Sequence, residues 1–316
     1  MTAKRASDHK RKNLVSLAEV DAREIDEWFK LALKLKKETK AGKLRPILAG
    51  KILGMIFQKS STRTRISFEV GMRQLGGHAM FLSGSELQLG RGETIADTAR
   101  VLSRYVSGIM ARVYKHSDIE ALAEHASVPV INGLSDFSHP CQALADYMTI
   151  LEKKGTLKGL RLAYVGDGNN VANSLLFGGA KLGVSVVCVT PPGYEPRPDV
   201  VERARAEGKA TGAGVSVTND AAQGVQGADV IYTDVWASMG QEAEHDKRVQ
   251  IFKPYQVNSG LLKKTGRPDT LVMHCLPAHR GEEITDEVID GPRSIVFDEA
   301  ENRLHLQKAL LASLLA

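Results

Sequence analysis

The sequence predicts an α/β protein built from two doubly wound domains with mainly parallel sheets. Three observations support this prediction. Short apolar runs of the kind found in buried strands alternate with amphipathic helical segments along most of the chain. The 316 residues are enough for two domains of ordinary size. Polar motifs fall at the carboxyl ends of the predicted strands, which is where ligands bind in such sheets.

The first domain is predicted to span residues 1–150 and to open with a helix. Asp21 is the expected N-cap of this helix, which ends near Gly42. Its buried side is predicted to contain Ile25, Trp28, Phe29 and Leu35. Strands are then predicted at residues 52–57, 79–82, 108–113 and 129–132, and helices at residues 66–75, 94–106 and 142–153.

The second domain is predicted to span residues 151–298. A linker candidate lies close to its start, at residues 153–159, with the sequence Lys-Lys-Gly-Thr-Leu-Lys-Gly. A last helix is predicted at about residues 300–315, and its sequence pattern does not indicate which part of the protein it packs against. Strands are predicted at residues 160–166, 184–190, 230–233, 271–274 and 294–297, and a helix at residues 172–182.

Composition excludes several classes of protein. The chain has 42 basic and 37 acidic residues, so its net charge of +5 is mild and modestly favours anionic substrates. The basic tail at residues 4–12 is interpreted as a solvated arm and not as a nucleic-acid contact. No apolar run is long enough for a membrane span, and the N-terminus lacks the apolar region of a secretory signal. Three widely spaced cysteines imply no disulfide framework. We therefore expect a cytoplasmic protein with no membrane or nucleic-acid partner.

The first predicted strand runs into a segment rich in hydroxyl groups and arginine. Ser61, Thr62, Arg63 and Thr64 lie where this strand gives way to a helix. Free N–H groups and the macrodipole at a helix N-terminus attract phosphate, and arginine binds phosphate through two parallel hydrogen bonds. A simple N-cap with surface arginines would explain one hydroxyl group and not three. The segment therefore predicts an anion site.

The first strand of the second half is followed by Gly166-Asp167-Gly168-Asn169-Asn170. Glycines at this place are also found in nicotinamide-dependent dehydrogenases, so we compared the segment with their dinucleotide-binding fingerprint. The third glycine of a dinucleotide fingerprint would fall at Val171, and the next strand ends at Thr190 without an acid for the ribose. The dehydrogenase hypothesis is therefore disfavoured.

Other strand ends carry candidate site residues, for which a purely structural role is still open on the residues alone. Arg112 ends one strand, and His139 and Gln142 open a helix, where a lone histidine is more often structural than catalytic. Asp234 ends a strand and is suited to pair with a substrate ammonium group. Cys275 next to a histidine suggests a nucleophile, but adjacent residues on a strand point to opposite faces, so this interpretation has little weight.

These motifs resemble the aspartate and ornithine carbamoyltransferase family, in the expected order from about residue 14 to residue 315. The sequence Phe57-x-Lys59-x-Ser61-Thr62-Arg63-Thr64-Arg65 is similar to the family's carbamoyl phosphate signature, with Gln58 where an acid is common. The family's His-Pro-Cys-Gln and His-Cys-Leu-Pro motifs match residues 139–142 and 274–277. The arrangement Asp-x-x-x-Ser-Met-Gly at residues 234–240 is similar to the ornithine-specific branch.

The resemblance implies a transfer of the carbamoyl group of carbamoyl phosphate to ornithine, without a metal or organic cofactor. It implies a first domain that binds carbamoyl phosphate, with a C-terminal helix at residues 299–316 that returns to it, and a second domain that binds ornithine. The implied catalytic residues are Arg112, His139, Gln142, Cys275 and Arg303. The implied carbamoyl phosphate-binding residues are Ser61, Thr62, Arg63, Thr64, Arg112, His139, Gln142, Cys275, Leu276 and Arg303.

The resemblance also implies an ornithine site and an assembly. The ornithine-binding residues are expected to be Asn170, Asp234, Ser238 and Met239, beneath a mobile charged segment at residues 241–248. Such proteins form homotrimers or multiples of trimers, in which a neighbouring subunit donates a loop to each site. Here that loop is expected at residues 85–93, with Gln88 as the residue that reaches over. Alternatives are another acceptor (N-acetylornithine, putrescine or aspartate) and a catalytically silent regulatory homologue.

Overall fold

The computed structural model describes residues 13–84, 87, 92–237 and 242–316, and it contains two parallel sheets. The strand order is β2-β1-β3-β4 in the first sheet and β7-β6-β5-β8-β9 in the second. The predictions for the basic tail and for Gln88, Ser238 and Met239 fall outside the described residues. Among the described residues, no helix is both long and apolar enough to cross a membrane.

The first sheet and its helices come from the first half of the chain. The strands are β1 (Ile52–Phe57), β2 (His78–Ser83), β3 (Gly108–Arg112) and β4 (Val130–Leu134). The helices are α1 (Ala22–Lys40), α2 (Thr62–Gln74), α3 (Ile95–Leu102), α4 (His116–His125) and α5 (Pro140–Lys154), after a 3-10 turn at Leu17–Glu19. Helix α1 opens with a capping box between Asp21 and Glu24, and its four predicted core side chains are buried.

The second sheet and its helices follow a turn at Gly155, which is left-handed (φ 73°) and ends α5. The strands are β5 (Arg161–Val165), β6 (Ser185–Val189), β7 (Val215–Thr218), β8 (Val230–Thr233) and β9 (Leu271–His274). The helices are α6 (Asn170–Leu182), α7 (Pro198–Gly208), α8 (Ala221–Gly224), α9 (His245–Phe252), α10 (Ser259–Lys264), α11 (Asp286–Ile289) and α12 (Val296–Leu315). Two 3-10 turns lie at Glu242–Glu244 and Lys253–Tyr255.

Two helix contacts join the halves of the molecule. Helix α5 packs on α6, where the Tyr147 hydroxyl donates to the Leu175 carbonyl and an added Cβ at Gly178 would meet the Tyr147 ring. The C-terminal helix α12 packs against α1, α2 and α5, which confirms that the chain returns to the first sheet. Lys308 is buried in that contact and donates to Thr39 and Gln74. The carboxyl ends of both sheets are thereby brought to one cleft.

Most predicted elements are confirmed, with three differences. Residues 294–297 are not a strand: Ser294 makes an isolated bridge to Val272, and Val296 begins α12. Strand β7 escaped the sequence analysis because it is a four-residue edge strand with alternating exposure, too short and too polar to stand out. Helix α2 begins at Thr62 and not at Ile66, because the Ser61 side chain caps it. The predicted anion motif therefore forms the first helical turn.

Candidate active site

A cavity of about 330 Å³ lies where the carboxyl ends of the two sheets face each other. Residues that follow β1, β3 and β4 line one side, residues that follow β5, β8 and β9 line the other, and α12 contributes Arg303. Eleven of the predicted site residues line it: Ser61, Arg63, Thr64, Arg112, His139, Gln142, Asn170, Asp234, Cys275, Leu276 and Arg303. The side chain of Thr62 is exposed, and this residue is not among those that line the cavity.

The first turn of α2 points its N-terminus at the cavity. The Ser61 hydroxyl accepts a hydrogen bond from the Thr64 N–H at 3.3 Å, so the helix is capped from inside the site. The Thr64 side chain is buried, and its hydroxyl accepts from Arg303 Nη2 at 3.1 Å. The remaining N–H groups of the first turn have no partner within the helix itself. This turn is built to receive an oxyanion.

Three guanidinium groups converge on the same end of the cavity. Burial, together with the neighbouring charges of Arg303 and Arg63, lowers the pKa of Arg112 to about 10. Burial and Arg303 likewise lower the pKa of Arg63. Arg112 remains protonated at neutral pH, since a pKa of about 10 lies well above it. Such a concentration of positive charge in a partly buried cavity favours an anionic ligand.

His139 is held neutral beside these arginines. It is the N-cap residue of α5, it is buried, and its backbone N–H donates to the Ser174 hydroxyl at 2.8 Å. Burial, Arg303 and Arg112 together hold the pKa of the imidazole well below its usual 6.5. Its Nδ1 has no hydrogen-bond partner among the described residues. A neutral imidazole in this position is suited to hydrogen bonding with a polarised carbonyl group and not to holding a positive charge.

A buried polar network beneath the cavity fixes Gln142 and Arg303. Gln142 Oε1 accepts a hydrogen bond from Arg303 Nη1, and its Nε2 donates to Asp146 Oδ1 at 2.8 Å and to Glu299 Oε1 at 2.9 Å. The two carboxyl groups therefore converge on one nitrogen. Burial raises the pKa of Asp146 to about 7, and burial with the Asp146 charge raises that of Glu299 well above its usual range. The pair consequently shares a proton at neutral pH.

Glu299 also ties the two halves of the molecule together. Its carboxyl group accepts hydrogen bonds from the Tyr232 hydroxyl at 3.2 Å and from the His274 backbone N–H at 3.1 Å, both in the second sheet. The sequence analysis did not single out Glu299 or Asp146. A charged side chain inside a helical pattern is usually solvent-exposed, so the sequence gives no signal for this burial.

The opposite end of the cavity carries a negative group. Asp234 accepts hydrogen bonds from Asn169 Nδ2 at 2.9 Å, from the Val235 N–H at 2.8 Å and from the Cys275 thiol at 2.9 Å. These bonds fix the carboxylate in place, and no salt bridge joins it to a described residue, so it is able to bind an ammonium group. Asn170 Nδ2 donates to the Ser135 carbonyl at 2.6 Å, which leaves its side-chain oxygen to contact a ligand.

The loop after β9 brings Cys275 and Leu276 to the cavity. Burial and the Asp234 carboxylate raise the pKa of the Cys275 thiol well above its usual range, so the thiol stays protonated, as expected of a group that is not a nucleophile. Leu276 has a positive φ of 56°, and its N–H donates to His274 Nδ1 at 2.8 Å. His274 Nε2 lies 3.0 Å from the buried Glu283 carboxylate. The His274 and Glu283 side chains therefore hold this loop and lie outside the reaction space.

The sequence analysis overlooked the ion pair that closes one side of the cavity. Arg248 and Asp167 are both buried and lie 2.9 Å apart, and Arg248 also donates to the Trp236 carbonyl at 2.9 Å. Arg248 had been assigned only to a mobile charged segment. Arg248 lies in α9 and Asp167 follows β5, so the two residues are far apart in the sequence. No local sequence pattern indicates that they pair.

Fold and site together are those of an α/β transferase for a phosphorylated small molecule, with guanidinium groups at one end of the cavity and a carboxylate at the other. Comparison with known proteins identifies the family. Residues 12–152 match the family model described as "Aspartate/ornithine carbamoyltransferase, carbamoyl-P binding domain", and residues 158–314 match "Aspartate/ornithine carbamoyltransferase, Asp/Orn binding domain". The chain belongs to the aspartate/ornithine carbamoyltransferase family, and it is a carbamoyltransferase.

Individual relatives are similar over almost the whole chain. A protein named ornithine carbamoyltransferase from Thermococcus kodakarensis is 61% identical over 301 residues, which cover 95% of each chain. One from Pyrococcus furiosus, named as the anabolic enzyme, is also 61% identical over 301 residues and 95% of each chain. The solved structure of ornithine carbamoyltransferase from Pyrococcus furiosus superimposes with a TM-score of 0.94 at 60% identity and covers 96% of this chain and 97% of that one.

Proposed function

We propose that this protein is an ornithine carbamoyltransferase, which converts carbamoyl phosphate and L-ornithine into L-citrulline and phosphate for arginine biosynthesis. The observation that supports this most directly is the charge pattern of the cavity. Three guanidinium groups meet at one end, and at the other lies a carboxylate that forms no salt bridge within the described part of the chain. This pattern matches a doubly charged phosphate at the first end and the ammonium group of an amino acid at the second.

Carbamoyl phosphate is assigned to the end formed by α2. The phosphate group binds the first turn of α2 from Ser61 to Thr64 and the guanidinium groups of Arg63 and Arg112. The backbone N–H of Thr62 serves this site, which is consistent with an exposed side chain at this position. Gln88 of the neighbouring subunit completes the phosphate contacts.

The carbamoyl group is assigned to the centre of the cavity. Arg112, His139 and Arg303 donate to its carbonyl oxygen, and Gln142 together with the Leu276 carbonyl and Cys275 contacts its amide nitrogen. The δ-nitrogen of ornithine attacks the carbonyl carbon, and negative charge grows on the oxygen. Donors that are fixed before the reaction stabilise that charge without reorganisation. The C–O bond to phosphate then breaks, and the leaving phosphate is already paired with Arg63.

Ornithine is assigned to the end formed by the second sheet. Its α-ammonium group binds the Asp234 carboxylate and the Asn170 side-chain oxygen, while Ser238 and Met239 cover the amino acid. The Arg248–Asp167 ion pair anchors α9 next to this site and keeps its neighbouring loop in reach. N-acetylornithine lacks the α-ammonium group that Asp234 would bind, and aspartate has no δ-amine to attack the carbonyl carbon. These two features favour ornithine over both acceptors, and the assay below separates it from putrescine.

A ureido-product assay with carbamoyl phosphate tests the proposal. Ornithine, N-acetylornithine, putrescine and aspartate are supplied in parallel as acceptors. We expect strong product formation with ornithine alone. Product with another acceptor would retain the carbamoyl phosphate site and overturn the assignment of the acceptor site. A protein that forms no product with any acceptor would be a silent homologue, and the functional proposal would be abandoned.

The remaining expectations are proposed on the same basis. We propose a homotrimer or a multiple of it, located in the cytoplasm, in which each active site receives residues 85–93 of a neighbour. Support for an interface comes from exposed apolar side chains in the first half, which include Ile66 on α2 and Met80 on the edge strand β2. We also propose residues 1–150 with 299–316 as the carbamoyl phosphate domain and residues 151–298 as the ornithine domain.

A further inference from the structure

A cluster of three side chains lies beside the active site and plays no part in the proposed reaction. His245 is the first residue of α9, and His279 and Glu282 lie in the loop that follows Pro277. His245 Nε2 is 3.1 Å from Glu282 Oε2, and His279 Nδ1 is 3.5 Å from the same oxygen. One ligand-type atom from each residue lies within 4.8 Å of the other two. None of the three is among the residues that line the cavity.

The donor set is that of a transition-metal site. Two imidazole nitrogens and one carboxylate oxygen are ligands that zinc accepts, with a remaining position for water. The side chains are 37%, 45% and 29% exposed for His245, His279 and Glu282, so an ion from solution has access to all three. Each nitrogen faces the same carboxylate oxygen, so the three atoms already surround one point.

A second carboxylate contacts the ring nitrogen of His245 that faces away from Glu282. Asp246 Oδ1 lies 3.2 Å from His245 Nδ1. Metal-bound histidines usually donate their other ring N–H to a carboxylate, which fixes the ring and the tautomer that leaves Nε2 free to ligate. The pair of Asp246 and His245 has this arrangement, with Nε2 directed at Glu282.

A second group of possible ligands is a weaker candidate. Asp234, His274 and Cys275 also lie close together. Both nitrogens of His274 are engaged, however: Nδ1 accepts from the Leu276 N–H and Nε2 faces the buried Glu283. The imidazole therefore has no lone pair for a metal, and the other two residues belong to the substrate cavity.

We infer that His245, His279 and Glu282 form a binding site for one divalent transition-metal ion, with Zn²⁺ as the expected occupant. The ion ties α9 to the loop that carries Leu276 and Pro277, which are both in the cavity wall. The ion has a structural role and takes no part in the proposed reaction, which is expected to proceed without a metal. The inference is independent of which acceptor the enzyme uses.

Calorimetric titration of the chelator-treated full-length protein with ZnCl₂ tests the inference. The variants are His245→Ala, His279→Ala and Glu282→Gln. His125→Ala, which removes a partly exposed histidine on α4, is the matched control, and Cys275→Ser removes the thiol in the cavity. The cluster side chains are partly exposed, so these variants are expected to fold, and melting without metal verifies this.

We expect one Zn²⁺ per protomer for the unmodified protein, for His125→Ala and for Cys275→Ser. Each substitution in the cluster should weaken binding by at least about tenfold, since loss of even an outer-shell partner costs about 10–100-fold in affinity. Co²⁺ bound in place of Zn²⁺ should show visible bands without a thiolate charge-transfer band. Zinc binding that survives in His245→Ala and His279→Ala, or that disappears in Cys275→Ser, overturns the inference. Failure of the unmodified protein to bind zinc also overturns it.

Discussion

Arg303 shows how a single side chain joins the parts of this active site. It comes from α12 near the end of the chain, yet it donates to Thr64 at the start of α2 and to Gln142 near the start of α5. A guanidinium group holds two such partners at once because its donors have a fixed, planar geometry. The same group therefore shapes the phosphate end and the carbamoyl centre of the cavity.

The first prediction concerns this geometry. Arg303→Lys keeps the positive charge but cannot hold both partners, so we expect kcat to fall by about 10²–10³-fold, as for the loss of one oxyanion donor. Steady-state kinetics with both substrates measures the effect. Arg100→Lys is the control: it lies on α3, is exposed and pairs with Asp97, and it should behave like the unmodified enzyme. Equal activity of the two variants would contradict the role of Arg303.

The second prediction concerns pH. The attacking amine has an ordinary pKa of about 10.4, so its neutral fraction grows about tenfold per pH unit below that value. The depressed pKa of His139 keeps this residue neutral across the neutral range, and it should add no inflection near pH 6.5. We expect kcat/KM for ornithine to rise continuously from pH 6 to pH 9. A flat profile over this range would mean that the enzyme does not select the neutral amine in this way.

Residue patterns together with the family resemblance located much of this site, and the limits of those patterns have physical causes. Asp234 and Cys275 follow the neighbouring strands β8 and β9, and the ends of neighbouring parallel strands meet in space, so strand prediction places these two together. Arg112 ends a strand of the other sheet, and only the packing of the two halves brings it to the same cavity. Asp146 and Glu299 lie within helices, and only the packing of α12 on α5 buries them. Long-range packing of this kind leaves no trace in local spacing.

At the scale of elements, α12 is the part that completes the first half of the molecule. The sequence pattern left its packing partner open, and its contacts with α1, α2 and α5 come from a continuous apolar surface. The third prediction is that Leu310→Ala, at a fully buried position, lowers the free energy of unfolding by about 2–5 kcal/mol. Urea unfolding measures this. Phe297→Ala on the same helix removes a 66% exposed side chain and should change it by less than about 0.5 kcal/mol.

The fourth prediction follows from the contact of α5 with α12. The pKa of Asp146 rises from 3.8 to about 7 on folding, so the folded protein holds a proton that the unfolded chain releases across that window. The unfolding free energy should therefore decrease as pH rises from about 4 to about 7, by at most about 1.4 kcal/mol per pH unit for one proton. Asp146→Asn mimics the protonated carboxyl group and still accepts from Gln142, so this contribution should vanish.

Urea unfolding of both proteins at pH 5, 6 and 7 tests this. The informative quantity is the difference between the two pH slopes, because all other titrating groups are common to both proteins. A negative slope for the unmodified protein that Asp146→Asn does not share supports the shared proton. Identical slopes would contradict the raised pKa of Asp146.

At the scale of the whole molecule, the proposed trimer completes each active-site cleft with residues from a neighbouring protomer. Strand β2 is the edge of the first sheet, and it presents Met80 with 50% exposure. Ile66 on α2 and Tyr105 after α3 are also exposed, by 53% and 73%. Apolar side chains at an unpaired sheet edge favour association with another chain. The loop at residues 85–93, which is expected to reach a neighbour's site, follows this same strand.

The fifth prediction is that Met80→Asp separates the protomers and reduces activity at the same time. A charge at the centre of an apolar interface has to be desolvated without a partner, which disfavours association. Light scattering after size-exclusion chromatography should show a smaller assembly, and kcat should fall because each site loses the neighbour's Gln88. Leu44→Asp changes an exposed apolar side chain outside β2, with 56% exposure, and it should leave mass and kcat unchanged. A Met80→Asp protein that remains a fully active trimer would move the interface elsewhere. A fully active monomer would remove the neighbour from the active site altogether.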